Sequence, residues 1–214
     1  MNRKHTLFQL IMTEASRYQI KKIKTGEIIE LTVRPASVET WPALEDLFGE
    51  KGACNGCWCM YWRIGNQYNK RSRDLNKSEF QQIIKNGPPP GIMAFHHQKA
   101  VGWCQVTPRI YLPYLENLTG KDQPADQDIW SISCFYIRSK YRRLGLTSIL
   151  IKEALKIAQQ ANARLLEAYP VDKKDSRSIS YTGYVSTFRR TGFKLTGQKV
   201  FTRQIMQHDL KASK

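Results

Sequence analysis

The sequence predicts an α+β domain with a mixed, mostly antiparallel central sheet flanked by helices. Three stretches carry that prediction. Trp130 to Ala161 reads as a strand, a basic turn and an amphipathic helix; Gly91 to Thr107 reads as a β-hairpin; Lys194 to Gln198 and Phe201 to Met206 read as a closing pair of strands. Strands joined by short turns pair antiparallel, and an amphipathic helix after a strand covers one face of the sheet.

Taken in order, residues 1–26 are basic, lack a clean period and read as an N-terminal extension. Leu7, Phe8, Leu10 and Ile11 could form one apolar helical face there, and His5 reads as an exposed residue. A domain over residues 27–208 and a short tail, 209–214, complete the expected organisation. Glu27 to Pro35 (EIIELTVRP) is β-branched and ends at a proline, as a strand does. Ser37 then has the character of a helix N-cap, with Trp41, Leu44, Leu47 and Phe48 at helical spacing behind it. A second helix is expected before Asn86, with Leu75, Phe80, Ile83 and Ile84 on its apolar side and Ser78 or Asn76 as its cap. Gly87-Pro88-Pro89-Pro90 ends it. In the hairpin, Ile92 to Phe95 and Ala100 to Val106 flank a turn at His96 to Lys99. Pro108 to Gln127 is long for a connection within a compact domain, and Arg164 to Pro170 (RLLEAYP) reads as the next strand.

Between the first two helices lies GACNGCWCMYWR, Gly52 to Arg63. Its C-x-x-C-x-C spacing invites a metal reading, but zinc normally takes four ligands and no second pair stands at a conventional spacing. Cys57, Trp58, Cys59, Tyr61 and Trp62 therefore read as a buried apolar and aromatic cluster, since an unoxidised cysteine packs as a small hydrophobe. No metal is expected.

The stretch that carries chemistry is Trp130 to Ala161. Leu150, Ala154, Ile157, Ala158 and Ala161 share one helical face, whereas Lys152, Glu153, Lys156 and Gln159 fall elsewhere. Before the helix, Arg138 to Arg143 is strongly basic and leads to Gly145. Free N–H groups at a helix start, aided by the helix dipole, make a site for a phosphate, and a glycine there lets the backbone approach it. Read this way, the turn binds a pyrophosphate-bearing ligand.

The hexad Arg142-Arg143-Leu144-Gly145-Leu146-Thr147 resembles the R/Q-x-x-G-x-G/A signature of the GNAT superfamily of N-acetyltransferases, with Thr147 where the family usually has Gly or Ala. The resemblance implies the GNAT fold, with splayed central strands. It also implies that Arg142 to Thr147 hold the pyrophosphate of acetyl-CoA, the co-substrate, and that the strand end Phe135-Tyr136-Ile137 pairs with its pantetheine arm. A second likeness lies at Ser180 to Phe193, which is similar to the family's x-x-L-Y-x-x-x-G-F helix; Phe188 stands where the family's tyrosine protonates the leaving thiolate. Tyr181 and Tyr184 become the candidates for that acid. Glu167, a carboxylate inside an otherwise apolar strand, is the candidate general base, with Asp128 and Glu116 as further candidates and a sheet-edge ion pair with an arginine as the structural reading of Glu167. Segments at Cys57–Arg63, Cys134–Ile137, Glu167–Asp172 and Phe188–Phe193 are similar to those of an uncharacterised, bacterial-type GNAT subgroup. The aromatics of Gly52–Arg63, placed after the first helix, would then wall the acceptor pocket. The acceptor would be a primary amine of a small molecule or protein, and a homodimer is common in the family.

Composition bounds the alternatives. No run approaches the roughly 18 apolar residues of a membrane span, Leu10-Ile11-Met12 is too short for a signal-peptide core, and the odd set of five cysteines does not form a secreted disulfide framework. A cytoplasmic protein is expected. The net charge of +16, from 34 Lys plus Arg against 18 Asp plus Glu, attracts polyanions. It also fits a nucleic-acid-binding module, although no reader motif is present. A GNAT-fold protein that binds acyl-CoA without catalysis is the other rival, supported by Phe188 and Thr147.

Overall fold

The computed structural model describes residues 15–22, 25–119, 128–172 and 180–211. Its strands are β1 (Ser16–Lys21), β2 (Ile28–Pro35), β3 (Gly91–His96), β4 (Lys99–Pro108), β5 (Ile129–Ile137), β6 (Leu165–Ala168), β7 (Lys194–Val200) and β8 (Arg203–Asp209). Its helices are α1 (Trp41–Phe48), α2 (Tyr61–Ile64), α3 (Arg73–Asn86), α4 (Pro113–Thr119), α5 (Leu146–Gln160) and α6 (Val185–Arg190). All eight strands form one sheet in the order β1-β2-β3-β4-β5-β6-β8-β7. The β5–β6 pair, linked through α5, is parallel, and the other pairs are antiparallel. This is the mixed, mostly antiparallel sheet the sequence implied.

Alternation along each strand divides the core. In β3, Ile92 and Ala94 join Leu31, Val33, Leu150, Ile151 and Ala154 in the cluster under α5. Met93 and Phe95 point the other way and meet Trp41, Leu44, Phe48, Trp58, Phe80 and Trp103 under α1 and α3. A third cluster, Trp62, Leu112, Leu115, Tyr169, Val200 and Ile205, joins α2 and α4 to the β7–β8 end. The cysteine-rich segment thus packs into the core through Trp58, Cys59, Met60 and Trp62. Among the described residues, no group of three or more His, Cys, Asp or Glu side chains is arranged to hold a metal ion. Among them, too, no helix is long and apolar enough to cross a membrane.

Several local expectations change. The sheet begins inside the stretch read as an extension: β1 pairs with β2 from Ser16↔Val33 to Lys21↔Ile28. The reason is a side-chain network. Glu153, read as lying off the apolar face of its helix, is buried and accepts from Tyr18 Oη at 2.5 Å and Ser16 Oγ at 2.9 Å. Burial, then the Glu153 carboxylate, pushes the Tyr18 phenol well above its usual range, so it remains a donor. The apolar face at Leu7 to Ile11 lies outside the described residues. At the other end, Asp209 still pairs with Leu165 and Leu210 is buried, so the sheet extends past residue 208.

Helix α1 starts at Trp41 rather than Val38, because Ser37 and Thr40 form a turn in which Ser37 N donates to Thr40 Oγ1 at 2.8 Å. The cap of α3 is Ser72, whose Oγ accepts from Leu75 N at 3.1 Å. Asn76 is buried instead, its amide bonding the carbonyls of Gly56 and Tyr68. The long connection after β4 is partly ordered into a 3-10 turn, Arg109–Tyr111, and α4; residues 120–127 lie outside the described residues.

The Glu153 network gives a stability prediction. Tyr18→Phe leaves one oxygen of a buried carboxylate without its donor and should cost about 1.5–3 kcal/mol. The denaturant midpoint should fall with the slope unchanged; no fall would separate β1 from the stability of the sheet.

Candidate functional site

The site begins where two strands part. β5 pairs with β4 along its length, from Trp130↔Pro108 to Ile137↔Gly102, with a bulge that leaves Ser133 as an extra residue between Gln105↔Cys134 and Val106↔Ile132. With β6 the pairing runs only from Ile129↔Leu165 to Ile132↔Ala168. Beyond Ile132 the two central strands are splayed, and among the described residues the part of β5 that holds Phe135, Tyr136 and Ile137 has no strand partner on the β6 side. Bulges re-aim a strand and end its pairing. The Ser133 carbonyl is taken by Trp62, whose indole Nε1 donates at 2.8 Å. Sequence offers no signal for that bond, which joins residues 71 positions apart.

Where β5 ends, the basic turn is anchored and then opens. Arg138 donates from Nε to the Ala100 carbonyl at 2.8 Å and pairs with Asp46 on α1 at 2.5 Å. Arg142 donates from Nε to the Ile137 carbonyl at 2.9 Å, which ties the turn to the strand tip. Arg143 and Gly145 then adopt left-handed conformations, φ 62° and 85°. Among the described residues, the amides of Arg143, Leu144, Gly145, Leu146 and Thr147 find no acceptor. They stand at the positive end of the 15-residue α5. Leu146 is buried and anchors the helix start; Thr147 is half-buried; Arg142, Arg143 and Gly145 are exposed. A Cβ on Gly145 would meet no atom within 4 Å, so the cradle has open space in front of it. Consecutive free amides around a left-handed turn form a nest for an anion. A diphosphate fits this donor set.

The tyrosine candidates lie across from β5. Tyr181 sits in the 3-10 turn Ser180–Thr182, and Tyr184 caps α6 and bridges to Val171. A hydrogen bond with the Cys54 thiol, and then burial, push the Tyr181 phenol up to about 12. It is therefore a neutral hydrogen-bond donor at physiological pH. Phe188 is fully buried, 6.1 Å from Phe135 and 5.0 Å from Phe193 between ring centroids. It serves as core, which accounts for a ring without a hydroxyl at that position.

Glu167, read from the sequence as a candidate general base or as the partner of an arginine, is held in a network of donors. It is buried, and its oxygens accept from Arg109 Nη1 at 3.0 Å, Tyr169 Oη at 2.7 Å and Gln207 Nε2 at 2.8 Å. Arg109 also pairs with Glu116 through Nε at 2.7 Å. Burial opposes the guanidinium charge, but Glu116 and Glu167 outweigh it and raise the Arg109 pKa. The ion pair with an arginine is the arrangement observed, but on β6, an interior strand between β5 and β8, and not at a sheet edge. Asp128 precedes β5 and lies about 16 Å along the strand from Ser133, at roughly 3.3 Å per residue.

A family model described as the acetyltransferase (GNAT) family matches residues 55–182, more than half of the chain. The chain belongs to the GNAT acetyltransferase family. Its fold is similar to that of the GNAT domain of S. lividans PAT, with a TM-score of 0.58 at 12% identity over 91% of this chain and 96% of that one. The paiA N-acetyltransferase from Thermoplasma acidophilum, in complex with coenzyme A, is similar at a TM-score of 0.50 and 16% identity, over 84% of this chain and 98% of that one. yncA from Salmonella typhimurium, solved with its cofactor acetyl-CoA, is similar at a TM-score of 0.53 and 13% identity, over 84% and 94%. No curated protein matches in sequence.

Two outcomes follow from this geometry. Gly145→Glu places a side chain and a negative charge at the mouth of the amide nest and strains a left-handed backbone by about 1–2 kcal/mol. The variant should keep its circular dichroism spectrum and lose coenzyme A binding by calorimetry. Glu167→Gln removes one partner of a buried pair and should cost about 3 kcal/mol, read as a lower denaturant midpoint.

Proposed function

We propose that this GNAT protein transfers an acetyl group from acetyl-CoA to a primary amine of an acceptor, by direct attack within a ternary complex. One observation carries the reading: a run of unmatched amides, Arg143 to Thr147, opens beside a strand whose edge is left free by the parting of β5 and β6. Those amides would hold the diphosphate, with Arg143 adding charge from the surface. The Phe135–Ile137 edge would take the pantetheine amides as another strand would. Acetyl-CoA supplies the activated acyl group.

The chain's own residues then have defined tasks. An acceptor ammonium has no lone pair, so it must lose its proton before attack, and Glu167, Glu116 and Asp128 do not stand open at the bulge to take it directly. Glu167 does connect inward: Tyr169 Oη lies 3.1 Å from Ser131 Oγ on β5. This buried chain positions the strand, and water carries the proton away. As the thioester carbonyl is attacked, a β5 amide near the bulge stabilises the developing oxyanion. Tyr181 stabilises the leaving thiolate by a hydrogen bond. Full proton transfer is uphill, because a thiol of about 8.5 is a stronger acid than a phenol at about 12. Proximity in the ternary complex supplies much of the rate. The buried Phe188 favours a second reading, acyl-CoA binding without turnover.

A thermal-shift series followed by thiol-release assays separates the two. Acetyl-CoA at a hundredfold excess over Kd should raise Tm by about 5–10 °C. Coenzyme A should then be released on at least one member of a primary-amine panel, and Tyr181→Phe should lower kcat. A Tm shift without thiol release on any amine would support the non-catalytic reading; no Tm shift would overturn both.

A further inference from the structure

Next to the free edge of β5 lies an aromatic cluster that also carries positive charge. Tyr61 meets Trp62, Tyr68 and Tyr114 edge-on, at centroid distances of 4.8, 5.9 and 5.7 Å. Trp62 is the residue whose indole holds the Ser133 carbonyl at the bulge. Arg203, at the start of β8, lies with its guanidinium carbon 5.3 Å from the centroid of the Trp62 ring. Arg63, the chain neighbour of Trp62, donates from Nη1 to the Tyr111 carbonyl at 2.5 Å. It also lines a cavity of about 340 Å³ with Gln82, Ile83, Thr107 and Tyr111.

Neither arginine has a counter-charge among the described residues. Among the described residues no carboxylate lies within 4 Å of either, and the Nε of each is buried without a hydrogen-bond partner. Arg71 has an orphaned Nε too, but Glu79 pairs with it. Arg109, more deeply buried, is neutralised by two carboxylates. Burial lowers the pKa of Arg63 to about 10 and lowers that of Arg203 as well, offset only by nearby thiols and phenols. A buried charge is normally paired, because its desolvation is otherwise uncompensated. Arg63 and Arg203 are half-buried, and each carries part of that cost at its buried Nε, beside the strand proposed for acyl transfer. A diphosphate held by the amides of Arg143 to Thr147 would not serve them, because those amides follow the Ile137 end of β5, whereas Arg203 lies over Trp62 at the Ser133 bulge.

We propose that the acceptor is a small amine bearing a carboxylate, and that Arg203, with Arg63 adding a second positive charge, binds that carboxylate beside the free edge of β5. The planar guanidinium fork matches a carboxylate with two parallel hydrogen bonds, and the aromatic walls exclude the water that would screen the pair. The amine end of such a molecule is then left to face the thioester. This assignment rests on the N-acetyltransferase reading, and its test is arranged to fail separately from it.

Thiol release from acetyl-CoA is measured with matched acceptors, each amino acid beside its own carboxamide, on the wild type and on Arg203→Gln, Arg203→Lys and Arg63→Gln. In the wild type the carboxylate member should have the higher kcat/KM, by about tenfold or more. Arg203→Gln should bring that ratio close to one, mainly through KM of the carboxylate acceptor, and Arg203→Lys should restore part of it. KM for acetyl-CoA is the control and should not move. Arg63→Gln should reduce the ratio by a smaller factor and stands in if the Arg203 variants do not fold. Equal turnover of acids and carboxamides would overturn the proposal and leave the N-acetyltransferase reading intact. So would a preference of the wild type for succinyl-CoA over acetyl-CoA that Arg203→Gln abolishes, because the carboxylate would then belong to the acyl group. Release on no amine at all would overturn both.

Discussion

A strand in the middle of a sheet has hydrogen-bonding groups on two edges, and each must find a partner. β5 satisfies both edges only as far as Ile132, where its pairing with Ala168 of β6 ends. The rest of the structure depends on how the remainder is kept open. On one side Phe135 packs with Phe188, which packs with Phe193. On the other, Trp62 holds the Ser133 carbonyl and tilts against Tyr169 at 5.9 Å. Among the described residues, the chain past β6 adds no further ladder to β5, although its 3-10 turn, Ser180–Thr182, packs against that strand. It bridges at Val171 to Tyr184 instead, so the gap is framed by packed rings rather than closed by a ladder.

The same frame explains the division of charge. Arg109, Glu116, Glu167, Tyr169 and Gln207 form a closed network in which each carboxylate oxygen has a donor. Such a network holds β6, β8 and α4 in register and has no group to spare for a ligand. The amides of Arg143 to Thr147, and the Nε groups of Arg63 and Arg203, are the reverse case: donors for which the described residues provide no acceptor. The amides follow the end of β5 at Ile137, and Arg203 lies over Trp62, whose indole holds the Ser133 carbonyl of the same strand. An anion at each end of one groove, a diphosphate at the helix start and a carboxylate near Trp62, would place the thioester between them.

What could be read in the sequence was local. The strand, basic turn and helix from Trp130 onward follow from side-chain period and from Gly145, whose left-handed φ of 85° is imposed by the turn itself. The hairpin at Gly91 to Thr107 and the end of α3 at Gly87 are equally local, since turn residues and proline act on their own backbone. β1 escaped notice because its alternation of Tyr18 and Ile20 is short and set in a basic stretch. Its partner Glu153 is 135 residues away and looks like an ordinary surface residue of an amphipathic helix.

By itself, then, the sequence determined most of the elements, the basic turn with its left-handed glycine and the family, because these depend on neighbours a few residues apart. Only the tertiary structure decided the fate of single side chains. Glu167 became a paired carboxylate because Arg109, 58 positions earlier, and Gln207, 40 positions later, reach it across the sheet. Phe188 became core because two other phenylalanines enclose it. Arg203 acquired its place over Trp62 because β8 inserts between β6 and β7. Burial and counter-charge are properties of what surrounds a group in space, and no spacing along the chain encodes them.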